Sequence, residues 1–165
     1  LNFEIISRTV DDVVTVSDDD IARALVVLLE RAKLVVEPAG GAGVAALLAG
    51  SLDVRGPTVV VLSGGNIDPM IMERVISRGL VADRRYLKVD IPLPDRPGQL
   101  ARIAEIISEA NANVVEVLHT RHGTGLQITE VGIEIHMETR GSEHAEEVLR
   151  HLRDAGYRPR VDTRV

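Results

Sequence analysis

The chain predicts two units of different class: an α/β segment with an incomplete sheet over residues 1–82, then an α+β unit over residues 83–165. Three observations carry this. Residues 17–77 hold stretches of helical period around one apolar run without alternation, TVVVLS. From Tyr86 onward, alternating strands and amphipathic helices follow one another in βαββαβ order, the ferredoxin-like arrangement. The grammar changes between Val81 and Arg85, which places the boundary.

In the first unit, SDDDIARALVVLLERAK sets Ser17 as a hydroxyl N-cap before Asp18, Asp19 and Asp20, acids that complement the helix dipole. Ile21, Ala22, Leu25, Leu28, Leu29 and Ala32 then recur at helical spacing, with Arg31 and Lys33 near the end. Pro38 opens a second, buried helix in VVEPAGGAGVAALLAG, whose small residues from Ala39 to Ala46 permit close approach to neighbouring backbone. Pro57 introduces TVVVLS, a pattern suited to a strand covered on both faces. After Ser63-Gly64-Gly65-Asn66, Asp68 caps a helix to about Ser77, with Met70, Ile71, Val75 and Ile76 inward. A second strand is expected around Val13 to Val16. A strand buried on both faces needs ladder partners on each side, so most of this sheet is expected upstream of Leu1, in a longer chain.

In the second unit, Leu87, Val89, Ile91 and Leu93 alternate with Tyr86, Lys88, Asp90 and Pro92, giving a strand with one wet face. The turn PDRPG leads to QLARIAEIISEANA, a helix with Leu100, Ile103, Ala104, Ile106, Ile107 and Ala110 inward. NVVEVLHTR and LQITEVGIEIHME are strands joined by a glycine-rich hairpin turn at His122 to Gly125. The apolar phase slips between Ile128 and Val131, which predicts a bulge near Thr129. SEHAEEVLRHLRDAG is a helix capped by Ser142 and ended by Gly156, and YRPRV is a short last strand.

Composition narrows the chemistry. The formal charge is −6, with Lys+Arg 19 against Asp+Glu 25, which argues against nucleic-acid binding. No apolar run approaches the roughly 20 residues that span a bilayer, and no signal-like segment opens the chain, so the expected location is cytoplasmic, away from any membrane. Absence of cysteine removes disulfides, a thiolate nucleophile and zinc-thiolate sites. Phe3, Tyr86 and Tyr157 are the only aromatic residues, too few for stacking platforms. His119 and His122 lack a carboxylate at ligand spacing and read as solvated, so no metal site is expected. By spacing alone, Ser63-Gly64-Gly65-Asn66 is either a tight connection or a close approach to a ligand. Glu37 is either a solvated helix-end acid or a pocket carboxylate.

VDDVVTVSDDDI, VVEPAGGAGVAALL and VVVLSGGNID, in that order, resemble the C-terminal part of the threonine dehydratase and serine racemase group of pyridoxal-phosphate enzymes, fold type II. DRPGQLARIAEIISEANANVVEV resembles an ACT domain, an amino-acid-sensing regulatory unit. Together they resemble a threonine dehydratase carrying one ACT domain. The resemblance implies pyridoxal phosphate as cofactor, threonine as substrate and 2-oxobutanoate and ammonia as products. It places Ser63 beside the pyridine nitrogen, Gly64, Gly65 and Asn66 around the ring, and Glu37 facing the cofactor pocket. For the ACT half it implies an amino-acid effector site across a subunit contact, made by Asp95, Arg96, Pro97, Gly98, Gln99 and Leu100 with Asn113 and Val114. A homo-oligomer through both domains is implied. The family's Schiff-base lysine has no counterpart, since Lys33 and Lys88 are the only lysines, so no catalytic residue is expected within this chain. A serine dehydratase or racemase, and a non-catalytic amino-acid sensor, remain open alternatives.

Overall fold

The computed structural model describes residues 2–121 and 126–162, and the chain divides into two compact units, Leu1–Gly79 and Leu80–Val165. The hairpin turn expected at His122 to Gly125 lies outside the described residues.

In the first unit, α1 (Asn2–Thr9) is an exposed helix without a start signal in the sequence. The strand expected at Val13 to Val16 is not formed; those residues are irregular. Helix α2 (Asp18–Val27) begins with a reciprocal capping box: Ser17 Oγ accepts from the Asp20 amide, and the Asp20 side chain accepts from the Ser17 amide. That hydroxyl holds the Asp20 carboxyl below its usual range. The helix widens into a π-helical stretch, Leu28–Ala32, and Lys33 ends it in the left-handed region at φ 59°. Helix α3 (Pro38–Leu48) starts on Pro38 and buries only Gly40, Gly41, Ala45 and Ala46, leaving Leu48 exposed. Helix α4 (Pro69–Ala82) runs five residues beyond the expected end at Ser77; Asp68 Oδ1 accepts from the Met70 amide at 2.7 Å. Met70 and Ile71, expected inward, are exposed.

The TVVVLS run forms no strand. Val59 is 90% and Val61 80% exposed, and no described segment pairs with residues 58–62 as a ladder. A segment becomes a strand only where a neighbour pairs with its backbone hydrogen-bonding groups, so the apolar pattern here lacks the partners that a strand needs. The small residues of α3 act as expected. A Cβ at Gly41 would stand 2.5 Å from Leu25 Cδ1, and one at Gly43 2.8 Å from Val60 Cγ1, so these positions bring α3 onto α2 and onto the extended run.

The second unit is the βαββαβ arrangement: β1 (Tyr86–Pro94), α5 (Gln99–Glu109), β2 (Asn113–Thr120), β3 (Glu130–Glu138), α6 (Ser142–Asp154) and β4 (Arg160–Asp162). The sheet order is β2-β3-β1-β4, and each neighbouring pair is antiparallel. Leu87, Val89, Ile91 and Leu93 meet Val131, Ile133, Ile135 and Met137 on one face, under Ile103, Ile106 and Ile107 of α5 and Val148, Leu149 and Leu152 of α6. The opposite face carries the charged residues of the alternation.

Three expectations change. The phase slip at Ile128 marks a turn, closed by the Glu130 amide on the Gln127 carbonyl at 2.9 Å, and not a bulge. The sheet's bulge lies in β2, between Val114 and Glu116. Leu100 and Ala104 of α5 are exposed, because the helix buries the narrower stripe of Ile103, Ile106, Ile107 and Ala110. Ser142 is the first residue of α6, with Gly141 as N-cap and no side-chain cap.

Burial pushes the Asp90 carboxyl above its ordinary range; Arg160 opposes this and Glu134 adds to it. A carboxylate raised in the folded state retains its proton longer there than in the unfolded chain, so its contribution to stability falls as pH rises through that interval. Asp90→Asn is therefore expected to raise the melting temperature at neutral pH and to leave it unchanged below about pH 4. Scanning calorimetry at both pH values checks this.

Candidate functional site

The first candidate site is the turn after the extended run. Val36 is buried and Glu37 half-buried, and the Glu37 amide donates to the Gly64 carbonyl at 3.0 Å. This bond holds the segment before α3 against the turn. Gly64 has φ +77°, and a Cβ there would stand 2.3 Å from Glu37 Oε1. Only glycine allows the carboxylate of Glu37 to lie so near the turn. Gly65 passes the Val35 carbonyl, which would be 3.2 Å from a Cβ.

Gly40, in the first turn of α3, completes the arrangement. A Cβ there would stand 1.7 Å from the Ser63 carbonyl oxygen, so the helix start is packed onto the turn with no room for any side chain. The sequence signal was the small-residue stripe, but not which residue it admits. Ser63, Gly64, Gly65 and Asn66 are all exposed. The Ser63 hydroxyl has no partner among the described residues. Beside the turn lies a hollow of about 240 Å³ lined by Leu34, Val35, Val36, Leu62, Gly64 and Gly65. The structure thus brings Glu37 to Gly64, Val35 to Gly65 and Gly40 to Ser63.

The second candidate site is the PDRPG turn. Gly98 is the N-cap of α5 at φ +88°, and a Cβ there would meet nothing within 4 Å. Its carbonyl accepts from the Arg102 amide at 3.0 Å, and the first amides of the helix lie free to receive an anion. Asp95 is held from two sides: its amide donates to the Thr129 carbonyl at 3.1 Å, and Arg121 Nε donates to its carboxylate at 3.1 Å. Tyr157 Oη donates to Gln99 Oε1 at 3.2 Å. Arg121 and Tyr157 are supports that sequence reading missed, since each lies far along the chain from the turn it braces. Arg96, Pro97 and Leu100 are exposed.

Asn113 and Val114 are not brought to this turn. Asn113 pairs with Glu138, as does Tyr86 at the start of β1, whereas the turn follows Pro94 at the other end. Eight residue steps of β1 separate the two ends, about 26 Å. Asn113 Nδ2 donates instead to Glu138 Oε2 at 3.0 Å. Within one copy these two elements cannot share a small ligand.

His119 is exposed on β2, and among the described residues no group of three or more histidine, aspartate or glutamate side chains is arranged to hold a metal ion. No described helix is long and apolar enough to cross a membrane.

Comparison with known proteins follows the same division. Residues 1–64 match the family model described as pyridoxal-phosphate dependent enzyme, and residues 91–156 match the ACT domain. An L-threonine ammonia-lyase of Geobacter sulfurreducens is 50% identical over 156 residues, covering 94% of this chain and 39% of the relative. Another of Thermotoga maritima is 42% identical over 162 residues, covering 98% of this chain and 40% of the relative. Human serine racemase is 46% identical over 68 residues, covering 39% of this chain and 20% of the relative. The chain spans about two fifths of the length of the ammonia-lyases it matches.

Proposed function

From a chain that pairs a pyridoxal-phosphate dependent enzyme segment with an ACT domain, we propose that it forms the C-terminal portion of a threonine ammonia-lyase. The parent converts threonine to 2-oxobutanoate and ammonia under control of an amino-acid effector. The observation that carries this reading is the Glu37–Gly64 pairing, which presents an unpartnered Ser63 hydroxyl between backbone stripped of side chains. Serine racemase shares the first segment at similar identity, so a serine-directed parent is the second reading. The preference for threonine rests on the two relatives matched along nearly the whole chain.

The turn fits the pyridoxal group by the chemistry of its donors. The Ser63 hydroxyl would donate one hydrogen bond to the ring nitrogen without delivering a charge. Gly64 and Gly65 would let the main chain lie against a flat ring, Asn66 follows them in the turn, and the Glu37 carboxylate lies beside Gly64. When bound, pyridoxal phosphate supplies the electron sink that makes the Cα proton of an amino acid removable. A neutral donor at Ser63 would leave that sink weaker than a charged donor would, which would suit loss of the β-hydroxyl over transfer of the amino group. Neither lysine suits covalent attachment of the cofactor: Lys33 ends a helix with its Nζ donating to the Glu30 carbonyl at 2.8 Å, and Lys88 lies on β1. This portion therefore supplies one wall of the pocket and is not itself the catalyst.

Residues 1–82 are the catalytic-domain portion and residues 83–165 the regulatory domain. In the latter, the first amides of α5 receive the effector carboxylate, and Asp95 lies beside it. Because Asn113 and Val114 lie at the far end of the sheet, they complete that site only from a second copy.

Release of 2-oxobutanoate from threonine and pyruvate from serine, measured on the full-length protein, tests the reading. Absence of both products would overturn it, and a preference for serine would favour the second reading. In that protein Ser63→Ala should lower turnover about tenfold to a hundredfold while far-ultraviolet dichroism is unchanged. Wild-type elimination rates would exclude the ring-nitrogen role. Gly98→Val forces a β-branched residue into the left-handed region and should abolish isoleucine, valine or threonine binding by calorimetry; unchanged affinity would make the turn purely structural.

A further inference from the structure

We propose that His136 is a proton-controlled positioning residue, whose Nδ1 is shared between the Tyr86 hydroxyl of β1 and the Glu116 carboxylate of β2. Protonation then decides whether the edge strand β2 is held to the sheet by a charged side-chain bond. The consequence for amino-acid binding rests on the effector reading above, because β2 begins with Asn113 and Val114.

His136 lies on the sheet face away from α5 and α6, on the strand between β1 and β2, and is only 7% exposed. Its Nε2 is 2.6 Å from Glu134 Oε1. Its Nδ1 is 3.0 Å from Tyr86 Oη and 3.2 Å from Glu116 Oε2, and the Tyr86 ring meets the imidazole edge-on at 5.8 Å. A neutral imidazole has one donor and one acceptor nitrogen. With Nε2–H given to Glu134, the Nδ1 lone pair accepts from the Tyr86 hydroxyl and faces the Glu116 carboxylate without attraction. The cation donates from both nitrogens, so Nδ1–H is given to Glu116 and the Tyr86 hydroxyl is released. Burial, then the Glu116 charge, push the Tyr86 hydroxyl up, so it stays a donor.

The bulge in β2 is what places Glu116 there. Val114 pairs with Met137 and Glu116 with His136, leaving Val115 as the extra residue. A regular ladder would set Val115 opposite the imidazole. Other charged groups on this face include Glu130 at the start of β3 and Lys88, the β1 partner of His136, with Asp162 of β4 as the partner of Lys88. Asp90 follows on β1 with Arg160 of β4 as its partner, and Glu138 lies two residues along β3. All eight residues of β2 are exposed, so besides the ladder to β3 the strand is tied across by two side-chain contacts, Asn113 to Glu138 at its start and Glu116 to His136 past the bulge.

The charged bond to Glu116 exists only for the cation. The hold on β2 is therefore present on the acid side and lost as pH rises through the ring titration. The test uses the whole chain, with ¹⁵N shifts of the His136 ring and amide exchange, corrected for intrinsic rates, from about pH 5 to about pH 8.5. Protection of the β2 amides should fall about tenfold as the ring loses its proton, while that of Val89 and Ile91 stays constant. His136→Gln should remove the step. Glu116→Gln, an exposed change that leaves the core intact, should remove it while the ring still titrates. Flat β2 protection across the ring titration, or a step that survives either substitution, would overturn the proposal. Isoleucine calorimetry on both sides of the titration should show the affinity following the step. Binding that ignores a visible step would overturn the link to the effector site. No binding at any pH, with the step intact, would sink the effector reading and leave the role of His136 in β2 standing.

Discussion

Gly40→Val should cost the first unit about 3 kcal/mol or more, the upper part of the range for overpacked interiors, and should dismantle the Ser63 turn. The added Cβ would fall 1.7 Å from the Ser63 carbonyl oxygen and 2.8 Å from its carbon, with Val36 Cγ1 at 2.9 Å on another side. The first two are backbone atoms, so no rotamer change relieves the overlap. Either α3 or the turn must retreat, and retreat of either breaks the bond from the Glu37 amide to the Gly64 carbonyl. Amide exchange of Glu37 reads this directly: protection should vanish in the variant while that of Val89, in the second unit, stays at its wild-type value. Gly50→Ala is the control, because nothing lies within 4 Å of its Cβ position, and left-handed strain alone costs about 1–2 kcal/mol. Retained Glu37 protection in Gly40→Val would show that the helix start and the turn are not packed as described. On the proposed function, the same substitution in the full-length protein should abolish turnover, since Glu37 and Gly64 would no longer be held together.

Ile103→Ala should destabilise the second unit by about 2–5 kcal/mol, a large share of the 5–15 kcal/mol that holds a domain of ordinary stability. Ile103 is fully buried within the cluster formed by β1, β3, α5 and α6. The loss combines the transfer of the removed methyl groups with the cavity left among the neighbouring side chains. Urea unfolding followed by exchange of the β1 amides should show a lower midpoint with little change in slope. Leu100→Ala, one turn earlier on the same helix, should stay within about 0.5 kcal/mol because Leu100 is 43% exposed. Equal losses from the two substitutions would mean that α5 buries a broader face than the structure gives it.

That contrast also marks a limit of periodicity. The spacing of QLARIAEIISEANA put Leu100 and Ile103 on one apolar face, and both do belong to it. How much of that face is covered depends on the width of the sheet beneath, which the helix sequence does not encode. The phase slip from Ile128 to Val131 was visible as well, but a turn and a bulge produce the same slip. The bulge in β2 left no mark at all, since Val114, Val115 and Val117 fit a strand in either register. In TVVVLS the composition spoke for a buried strand, and the segment has no ladder, because strand pairing is a property of two segments.

The sites divide along the same line. Ser63, Gly64 and Gly65 were legible as a permissive turn after an apolar run, and Gly98 as a helix start, because dihedral freedom and free amides are properties of the local chain. Gly40 against Ser63, Arg121 against Asp95, and Tyr157 against Gln99 were not legible, since each joins residues whose separation along the chain says nothing of their distance.

Element order, caps and the alternation of the second unit followed from the residues alone, because hydrogen bonding and apolar spacing act within a turn or a strand. Strand order and register belonged to the tertiary structure. They set Asn113 about 26 Å of β1 away from the turn after Pro94 and put Glu116, not Val115, opposite His136. One step of register exchanges one face of a strand for the other, so only packing of the whole sheet could decide which side chains meet.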